Sequence, residues 1–254
     1  MDVAEKVLGS YDQVILRLSG AGANIVIASP KFFVGLLKET LTGWNFEAAS
    51  TPEIDIRITY SAGKYEIDSV VQRKPFFYDD LMDTLNESLL SICYVAASQI
   101  PDTALIHCAA YRSGRAINLL VGEKGSGKSI QTANRAVDGC QIFADDLALY
   151  FPKQGHFKAL GLPIRLRRPI PQDLIAIANK NILIPGKRIA YSRTGSFNIA
   201  PVGKKFTVTN LIEILAGGGF KPIPLVLIPR TIAKFKISVS YTTRIKPPLD
   251  RASL

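Results

Sequence analysis

The sequence predicts an α/β fold, with a mixed β-sheet and flanking helices over residues 101–254 and a smaller α+β region over residues 1–100. Two observations support this prediction. A glycine-rich loop at 122–129 lies between an apolar strand-like run and a helical segment, and a second strand follows, as in a βαβ unit. Upstream, short alternating runs and one long amphipathic segment are typical of a separate α+β region.

Hydrophobic periodicity defines the elements of the N-terminal region. Phe33, Leu36, Leu37 and Leu41 share one helical face, and alternation of apolar with charged residues marks the strands. The predicted elements are a strand pair at 13–19 and 24–28, a helix from Pro30 to Leu41, a hairpin at 54–58 and 65–70, and a helix at 78–100.

The C-terminal region is predicted in the same way, from apolar runs bounded by glycine and proline. Around the glycine-rich loop we expect strands at 104–111, 116–121 and 141–144, and a helix from Ser129 to Gly139. Further on we expect a helix begun by Pro171, a helix at 207–215, a buried strand at 224–229, an edge strand at 235–241 and a loose end at 247–254.

Composition excludes several classes of protein. The 254 residues are 47% hydrophobic and 20% charged, as in globular proteins, and no run of ~18 apolar residues could cross a membrane. The N-terminus lacks the apolar stretch of a secretory signal. Cys93, Cys108 and Cys140 have no metal-ligand spacing, and with two histidines a zinc site is not expected. We therefore expect a cytoplasmic protein with reduced, buried thiols.

The net charge of +10 is unevenly distributed along the chain. Residues 1–150 hold 13 Lys/Arg and 18 Asp/Glu, a net charge of −5, whereas residues 151–254 hold 18 and 3, a net charge of +15. A solvated basic face is one interpretation; we favour a surface that collects an anionic partner. That partner could be a nucleotide, a phosphorylated metabolite or an acidic peptide. Nucleic acid is disfavoured, since no recognition motif is present.

The glycine-rich loop reads G-x-x-x-x-G-K-S, the Walker A pattern of a phosphate-binding loop (P-loop). Glycine lets the backbone approach a phosphate closely at positive φ, so that N–H groups can turn toward it. In this pattern the lysine reaches the β- and γ-phosphates and the serine hydroxyl ligates Mg²⁺. The predicted cofactors are ATP, or another nucleoside triphosphate such as GTP, and Mg²⁺, and the predicted binding residues are Gly122, Glu123, Lys124, Gly125, Ser126, Gly127, Lys128 and Ser129.

Two adjacent acids follow the loop at the predicted end of a strand. Asp145 and Asp146 lie 17 and 18 residues after Lys128. Phosphoryl transfer needs a carboxylate near the metal and a base near the acceptor hydroxyl. Because adjacent strand residues point to opposite faces, one Asp could face the metal and the other the acceptor. The alternative is a helix cap or turn former, and the residues alone do not separate the two acids.

The motifs G-E-K-G-S-G-K-S and G-C-Q-I-F-A-D-D, with A-L-I-H-C-A-A upstream, resemble HPr kinase/phosphorylase over roughly residues 100–150. Phosphoenolpyruvate carboxykinase is a more distant cousin with a similar core. The resemblance implies that Asp146 takes the acceptor proton, that Asp145 and Ser129 bind the metal, and that His107 lies close to the transferred phosphate. Taken alone, His107 between Ile106 and Cys108 would be interpreted as a buried core histidine.

Two departures from that family limit what is implied. Ser129 is followed by Ile130 where the family usually has Glu, and the glycine-rich stretch linked to the reverse reaction is missing. That region holds Arg165, Arg167, Arg168 and Asp173 instead. Phosphorylase activity and HPr itself as the substrate are therefore in doubt, and we select Arg165, then Arg167, as candidates to neutralise transition-state charge.

The sequence thus predicts an HPr-kinase-like serine kinase that moves the γ-phosphoryl group of ATP to a hydroxyl, most simply of an anionic peptide or protein. The alternatives are a nucleotide-binding regulatory module without transfer and a kinase of a small-molecule hydroxyl. No membrane partner is expected, and the oligomeric state stays open, a homo-oligomer included.

Overall fold

The computed structural model describes residues 12–174, 183–215, 217 and 219–237. Within these ranges the fold is mixed α/β, with three separate sheets and few helices. The described helices are α1 (Lys31–Thr40), α2 (Leu81–Gln99), α3 (Lys128–Val137) and α4 (Ile228–Phe235). None of the helices in these ranges is long and apolar enough to span a membrane.

Seventeen strands are described. In chain order they are β1 (Gln13–Gly20), β2 (Ala23–Pro30), β3 (Asn45–Ala48), β4 (Ile56–Ser61), β5 (Lys64–Ser69), β6 (Phe76–Tyr78), β7 (Ala104–Ser113), β8 (Ala116–Val121), β9 (Ile142–Phe151), β10 (His156–Lys158), β11 (Arg165–Arg167), β12 (Leu183–Pro185), β13 (Ile189–Ser192), β14 (Lys205–Phe206), β15 (Asn210–Ile214), β16 (Phe220–Ile223) and β17 (Lys236–Ile237).

The N-terminal sheet has six strands in the order β3-β1-β2-β4-β5-β6. The predicted strand pair is the antiparallel β1–β2 hairpin, and the predicted second hairpin is β4–β5. Strands β2 and β4 run parallel, so the sheet is mixed. Alternating residues such as Ile25, Ile56 and Ile58 are fully buried, because they face α1 and α2 across one core.

Helix α2 connects this sheet to the rest of the molecule. Asp80 caps the N-terminus of α2, since its side chain accepts hydrogen bonds from the backbone N–H groups of Met82 and Asp83. Leu85 and Ile92 are fully buried in the N-terminal core. Other residues of α2 contact β7 and β13, which follow in sequence. The division into 1–100 and 101–254 stays a prediction, and α2 contacts elements on both sides of it.

The central sheet has eight strands, in the order β14-β10-β9-β7-β8-β15-β16 with β17 beside β7. Strands β8 and β9 are each antiparallel to β7, which lies between them, so they run parallel to each other. Helix α3 contacts β7 and β9. The predicted strand–loop–helix–strand unit is therefore present. A third sheet, in the order β11-β13-β12, is antiparallel, and its strand β11 also contacts α3.

The prediction of a helix at 207–215 is wrong, because residues 210–214 of this segment form β15, parallel to β8. Leu211 and Ile214 are buried in two different hydrophobic clusters, and the β-branched Thr207, Val208 and Thr209 just before β15 favour extended backbone. Sheet pairing outweighs the weak helical spacing that the sequence offers.

Four further predictions for the chain after residue 170 have mixed outcomes. The prediction of a buried strand at 224–229 is wrong. Residues 225–227 form a 3₁₀ turn that leads into α4, and Val226 is 82% exposed. Only Lys236–Ile237 of the edge strand at 235–241 is strand within the described residues. Of the helix predicted to begin at Pro171, the structure describes a 3₁₀ turn over Gln172–Leu174, and the rest lies outside the described residues. The predicted loose end at 247–254 also lies outside them.

The cysteines are free thiols. Cys93 and Cys108 are buried, as predicted, and burial raises the pKa of each thiol well above its usual value. Cys140 is only half-buried, which differs from the prediction.

Candidate functional site

The glycine-rich loop joins β8 to the N-terminus of α3. Gly122 has a φ of 152°, and a Cβ there would lie 2.6 Å from the carbonyl oxygen of Ile214 and 2.8 Å from Ser126 Oγ. Gly125 and Gly127 have φ values of 90° and 101°. Only glycine adopts these conformations readily. The loop therefore holds a compact turn that leads directly into the first residues of α3, an arrangement suited to an anion.

Lys128 is folded back over this loop. Its Nζ donates hydrogen bonds to the carbonyl oxygens of Gly122, at 2.7 Å, and Glu123, at 3.0 Å. The side chain is buried, and this burial lowers the pKa of the ammonium group, while the charges of Asp146 and Asp145 oppose that change. Neutral carbonyls are weaker partners for an ammonium group than phosphate oxygens are, so an incoming phosphate could replace them.

Asp145 and Asp146 do not lie at a strand end, as the sequence predicted, but inside β9, which continues to Phe151. In the antiparallel pairing of β9 with β7, Asp145 lies opposite Ala109 and Asp146 lies opposite Cys108. Asp146 has a φ of 92°, an uncommon conformation for a residue other than glycine. This breaks the strict alternation of faces that the sequence argument assumed, and both carboxylates contact Arg165.

The carboxylate of Asp146 contacts two basic groups through one oxygen. His107 Nε2 lies 3.1 Å from Oδ1, and Arg165 Nη2 donates to the same oxygen at 3.0 Å. Burial raises the pKa of Asp146, but the hydrogen bond with His107 and the charge of Arg165 outweigh that effect, so the pKa is lowered overall. Asp146 is therefore ionised at neutral pH. His107 lines the site with a side chain that is 28% exposed, so it is not a core histidine.

Asp145 is 1% exposed. Its Oδ2 accepts a hydrogen bond from the backbone N–H of Arg165 at 2.8 Å, whereas Oδ1 is buried without a hydrogen-bond partner among the described residues. Burial raises the pKa of Asp145 to about 6, and the hydrogen bond from the Arg165 amide and the nearby hydroxyl of Ser129 oppose the rise. An unpartnered buried oxygen beside a serine hydroxyl needs a further partner, such as a cation.

The donor set around Ser129 and Asp145 fits Mg²⁺ rather than a metal held by protein alone. Mg²⁺ takes oxygen ligands, keeps several waters and is usually bound through one or two carboxylates together with substrate phosphates. The described part of the chain contains no group of three or more His, Cys, Asp or Glu side chains that could hold a metal by themselves. The predicted pair is thus compatible with a metal that arrives with a nucleotide.

Two residues of the site were missed by the sequence analysis. Arg165 Nη1 donates to Asn86 Oδ1 at 2.8 Å, and the Tyr191 hydroxyl donates to the same oxygen at 2.7 Å. Asn86 lies 79 positions from Arg165 and 105 from Tyr191, so no local motif could have indicated either contact. Arg165 itself, the first candidate of the sequence analysis, joins this polar network to Asp146.

Two clefts meet at Asp146. The loop cleft, of about 230 Å³, is lined by His107, Lys124, Gly125, Gly127, Lys128, Ser129, Ile130, Asp146, residues 165–169 and Pro171. The basic cleft, of about 650 Å³, is lined by Asp83, Asn86, Leu90, Tyr94, His107, Lys124, Asp146, Leu147, Arg165, Arg167, Arg168, Lys187, Arg188, Ile189 and Ile237. The residues that both clefts share are His107, Lys124, Asp146, Arg165, Arg167 and Arg168.

The basic cleft carries an excess of positive charge. Arg165 pairs with Asp146, and Arg188 pairs with Asp83. Its other cations form no ion pair with a described residue; they are Lys124, Arg167, Arg168 and Lys187. The concentration of basic residues that the sequence shows after residue 150 is therefore partly focused on one cleft that adjoins the paired aspartates.

No protein-family model matches the chain, and a search of curated proteins finds no match. The resemblance to HPr kinase/phosphorylase therefore depends on the motifs around the loop, on the Asp pair and on His107. The binding and catalytic roles that it implies stay predictions.

Proposed function

We propose that the protein is an HPr-kinase-like phosphotransferase that transfers the γ-phosphoryl group of ATP to a hydroxyl, most simply a serine of an anionic peptide or protein. The observation that carries this proposal is the position of Asp146, whose ionised carboxylate lies where the loop cleft and the basic cleft meet. A base for phosphoryl transfer must reach both the donor phosphate and the acceptor hydroxyl.

The loop cleft provides the donor side. The backbone of residues 122–129 surrounds the phosphates, and Lys128 exchanges its two carbonyl contacts for contacts with the β- and γ-phosphates. Ser129 and Asp145 would hold Mg²⁺, which when bound neutralises part of the phosphate charge. The unpartnered Oδ1 of Asp145 supports this assignment.

Asp146 provides the acceptor side. Both of its basic contacts fall on Oδ1, and no described residue hydrogen-bonds Oδ2, so Oδ2 can accept the hydroxyl proton. As the hydroxyl oxygen bonds to the γ-phosphorus, the bond from that phosphorus to the bridging oxygen of the β-phosphate breaks. The proton passes to Asp146, and the nucleoside diphosphate leaves.

The lowered pKa of Asp146 makes it a weak base. This suits a loose transition state, in which the hydroxyl loses its proton late and orientation of the nucleophile contributes most. Arg165, which bonds Asp146 and lines both clefts, is placed to offset charge on the transferred group. His107 contacts the same oxygen of Asp146, Oδ1, that Arg165 bonds, and so helps to hold the carboxylate in place.

The basic cleft sets the class of acceptor. Four cations without an acidic partner among the described residues line it together with apolar side chains, Leu90, Leu147 and Ile189 among them. Three of them, Lys124, Arg167 and Arg168, also line the loop cleft and can pair with the nucleotide, but Lys187 lines the basic cleft alone. A neutral small molecule would leave at least Lys187 without a partner, whereas an acidic peptide that carries the serine would pair with it. This favours a peptide or protein over a small metabolite.

Label transfer tests the proposal directly. The protein is incubated with γ-³²P-ATP, Mg²⁺ and a lysate of the cells in which it is native, with a protein-free reaction and Asp146→Asn as controls. We expect at least one peptide or protein to be labelled with the wild-type chain and in neither control, apart from the products of the kinases in the lysate itself. Nucleotide binding without any transfer would contradict the proposal and favour a regulatory binding module, while label on small molecules alone would indicate a metabolite kinase.

A further inference from the structure

One face of α2 is directed at the basic cleft. Asp83, Asn86, Leu90 and Tyr94 all line this cleft, and their spacing of three and four residues places them along one side of the helix. The opposite side, which includes Leu85 and Ile92, is buried in the core of the N-terminal sheet. A helix of the N-terminal region therefore forms a wall of the cleft that the C-terminal residues complete.

Within this wall, Asn86 makes a specific contact with the transfer site. Its Oδ1 accepts from Arg165 Nη1, while Arg165 Nη2 donates to Asp146, so both terminal nitrogens of the guanidinium group are held. The Tyr191 hydroxyl donates to the same Asn86 oxygen. Two donors directed at one atom also fix the orientation of the amide, with its oxygen toward Arg165.

We propose that Asn86 is a positioning residue, which fixes the guanidinium of Arg165 against Asp146 and thereby makes the N-terminal region part of the transfer site. This inference rests on the proposed function. A guanidinium is planar, so one hydrogen bond leaves it free to rotate, whereas two at different nitrogens fix both its position and its plane.

The amide of Asn86 also suits this role because it is neutral. It accepts a hydrogen bond without adding a negative charge, so Asp146 is the one acid that forms an ion pair with Arg165 among the described residues. A carboxylate in the same place would neutralise the positive charge that the proposed transition state requires. A contact that served stability alone would not need an acceptor that is also neutral, since a carboxylate could accept the same hydrogen bonds.

A double-mutant cycle tests the inference. We would measure kcat and nucleotide KM for Asn86→Leu, Arg165→Ala and the double variant, since leucine has the same branching and number of side-chain heavy atoms as asparagine and cannot accept a hydrogen bond. We expect Asn86→Leu to lower kcat about tenfold with a nearly unchanged nucleotide KM. In the Arg165→Ala background, the same substitution should have little further effect, because the two residues act as one unit.

Glu87→Leu serves as a matched control on the same helix. Glu87 accepts hydrogen bonds from Gln72 and Tyr78 in the N-terminal region and lines neither cleft. Glu87→Leu removes both hydrogen bonds, so it should lower thermal stability and leave kcat close to that of the wild type. A stability effect that spreads from α2 to the site would lower kcat in both variants alike.

The outcomes separate this inference from the proposed function. If the wild-type chain transfers no phosphoryl group, the proposed function fails and this inference fails with it. If the wild-type chain transfers phosphate but Asn86→Leu matches Glu87→Leu in kcat, or lowers kcat equally in the Arg165→Ala background, only this inference is overturned.

Discussion

At the scale of single residues, Asp146 has a backbone conformation that the fold must stabilise. A φ of 92° is uncommon outside glycine, and such conformations cost on the order of 1–3 kcal/mol. The contacts of its carboxylate with His107 and Arg165 hold it in place. Strained residues of this kind cluster at functional sites, and here the strain brings the carboxylate to the junction of the two clefts.

Lys128 gives the first prediction at this scale. We expect Lys128→Ala to weaken ATP binding about 10- to 100-fold, because a charge-assisted hydrogen bond contributes roughly 1.5–3 kcal/mol. Arg135→Ala, at the exposed C-terminal end of the same helix, is the control and should bind ATP normally. Equilibrium titration with ATP in the presence of Mg²⁺ measures both, and equal affinities in the two variants would exclude a phosphate-binding role for the lysine.

Asp145 gives a prediction about pH. Its pKa is about 6 in the folded protein against 3.8 as the reference value, so the folded state binds the proton more tightly. Between about pH 4 and 6 the unfolding free energy should therefore fall as pH rises, by up to roughly 3 kcal/mol. Asp146, whose pKa is lowered, acts in the opposite sense and below that window.

The measurement compares urea unfolding of the wild-type chain and Asp145→Asn from pH 4 to 6, in buffer without divalent cations. The variant should lack this component, so the difference between the two unfolding free energies should change steadily across the window. Parallel stability curves would show that Asp145 ionises without a burial penalty.

At the scale of elements, local signals predicted the loop unit well. The apolar run before Gly122, the glycines and the amphipathic segment after Lys128 correspond to β8, the loop and α3. β15 was missed because its burial depends on pairing with β8, which is distant in sequence. The end of β9 was misplaced because two charged residues seldom lie inside a buried strand unless hydrogen bonds and basic neighbours accommodate them.

Gly122 provides the prediction for the loop. Gly122→Ala should abolish measurable ATP binding, because the added Cβ would lie 2.6 Å from a backbone oxygen and force the loop open. Gly114→Ala is the matched control, since Gly114 also has positive φ, in the β7–β8 turn, but a Cβ there meets nothing within 4 Å. Both variants should lose some stability from backbone strain. Normal ATP binding by Gly122→Ala would show that the loop conformation is not needed.

At the scale of the whole molecule, the site is assembled from distant parts of the chain. His107 lies on β7, the aspartates on β9, Arg165 on the third sheet and Asn86 on α2. The sequence indicated the first three groups through motif spacing, family resemblance and charge. It could not indicate Asn86 or Tyr191, because their roles depend on tertiary contacts alone.

The charge of the basic cleft predicts a dependence on salt. Electrostatic steering is screened over a Debye length of ~8 Å at physiological ionic strength, so the acceptor KM should rise with added salt while kcat changes little. Charge reversal at Arg167 or Arg168 should raise the acceptor KM in the same way, and reversal of exposed Lys221, on β16, should not. Acceptor kinetics that are insensitive to salt would indicate a neutral small-molecule acceptor.

The most direct test of the central claim is to measure ATP binding and phosphoryl transfer together in the wild-type chain and Asp146→Asn. Asparagine keeps the shape of the side chain but cannot take the hydroxyl proton. We predict nearly unchanged ATP affinity with transfer slowed by ~10²–10⁴, the usual effect of removing a catalytic base. Transfer at the wild-type rate by Asp146→Asn would contradict the claim, and Asp145 would then be the next candidate for the base.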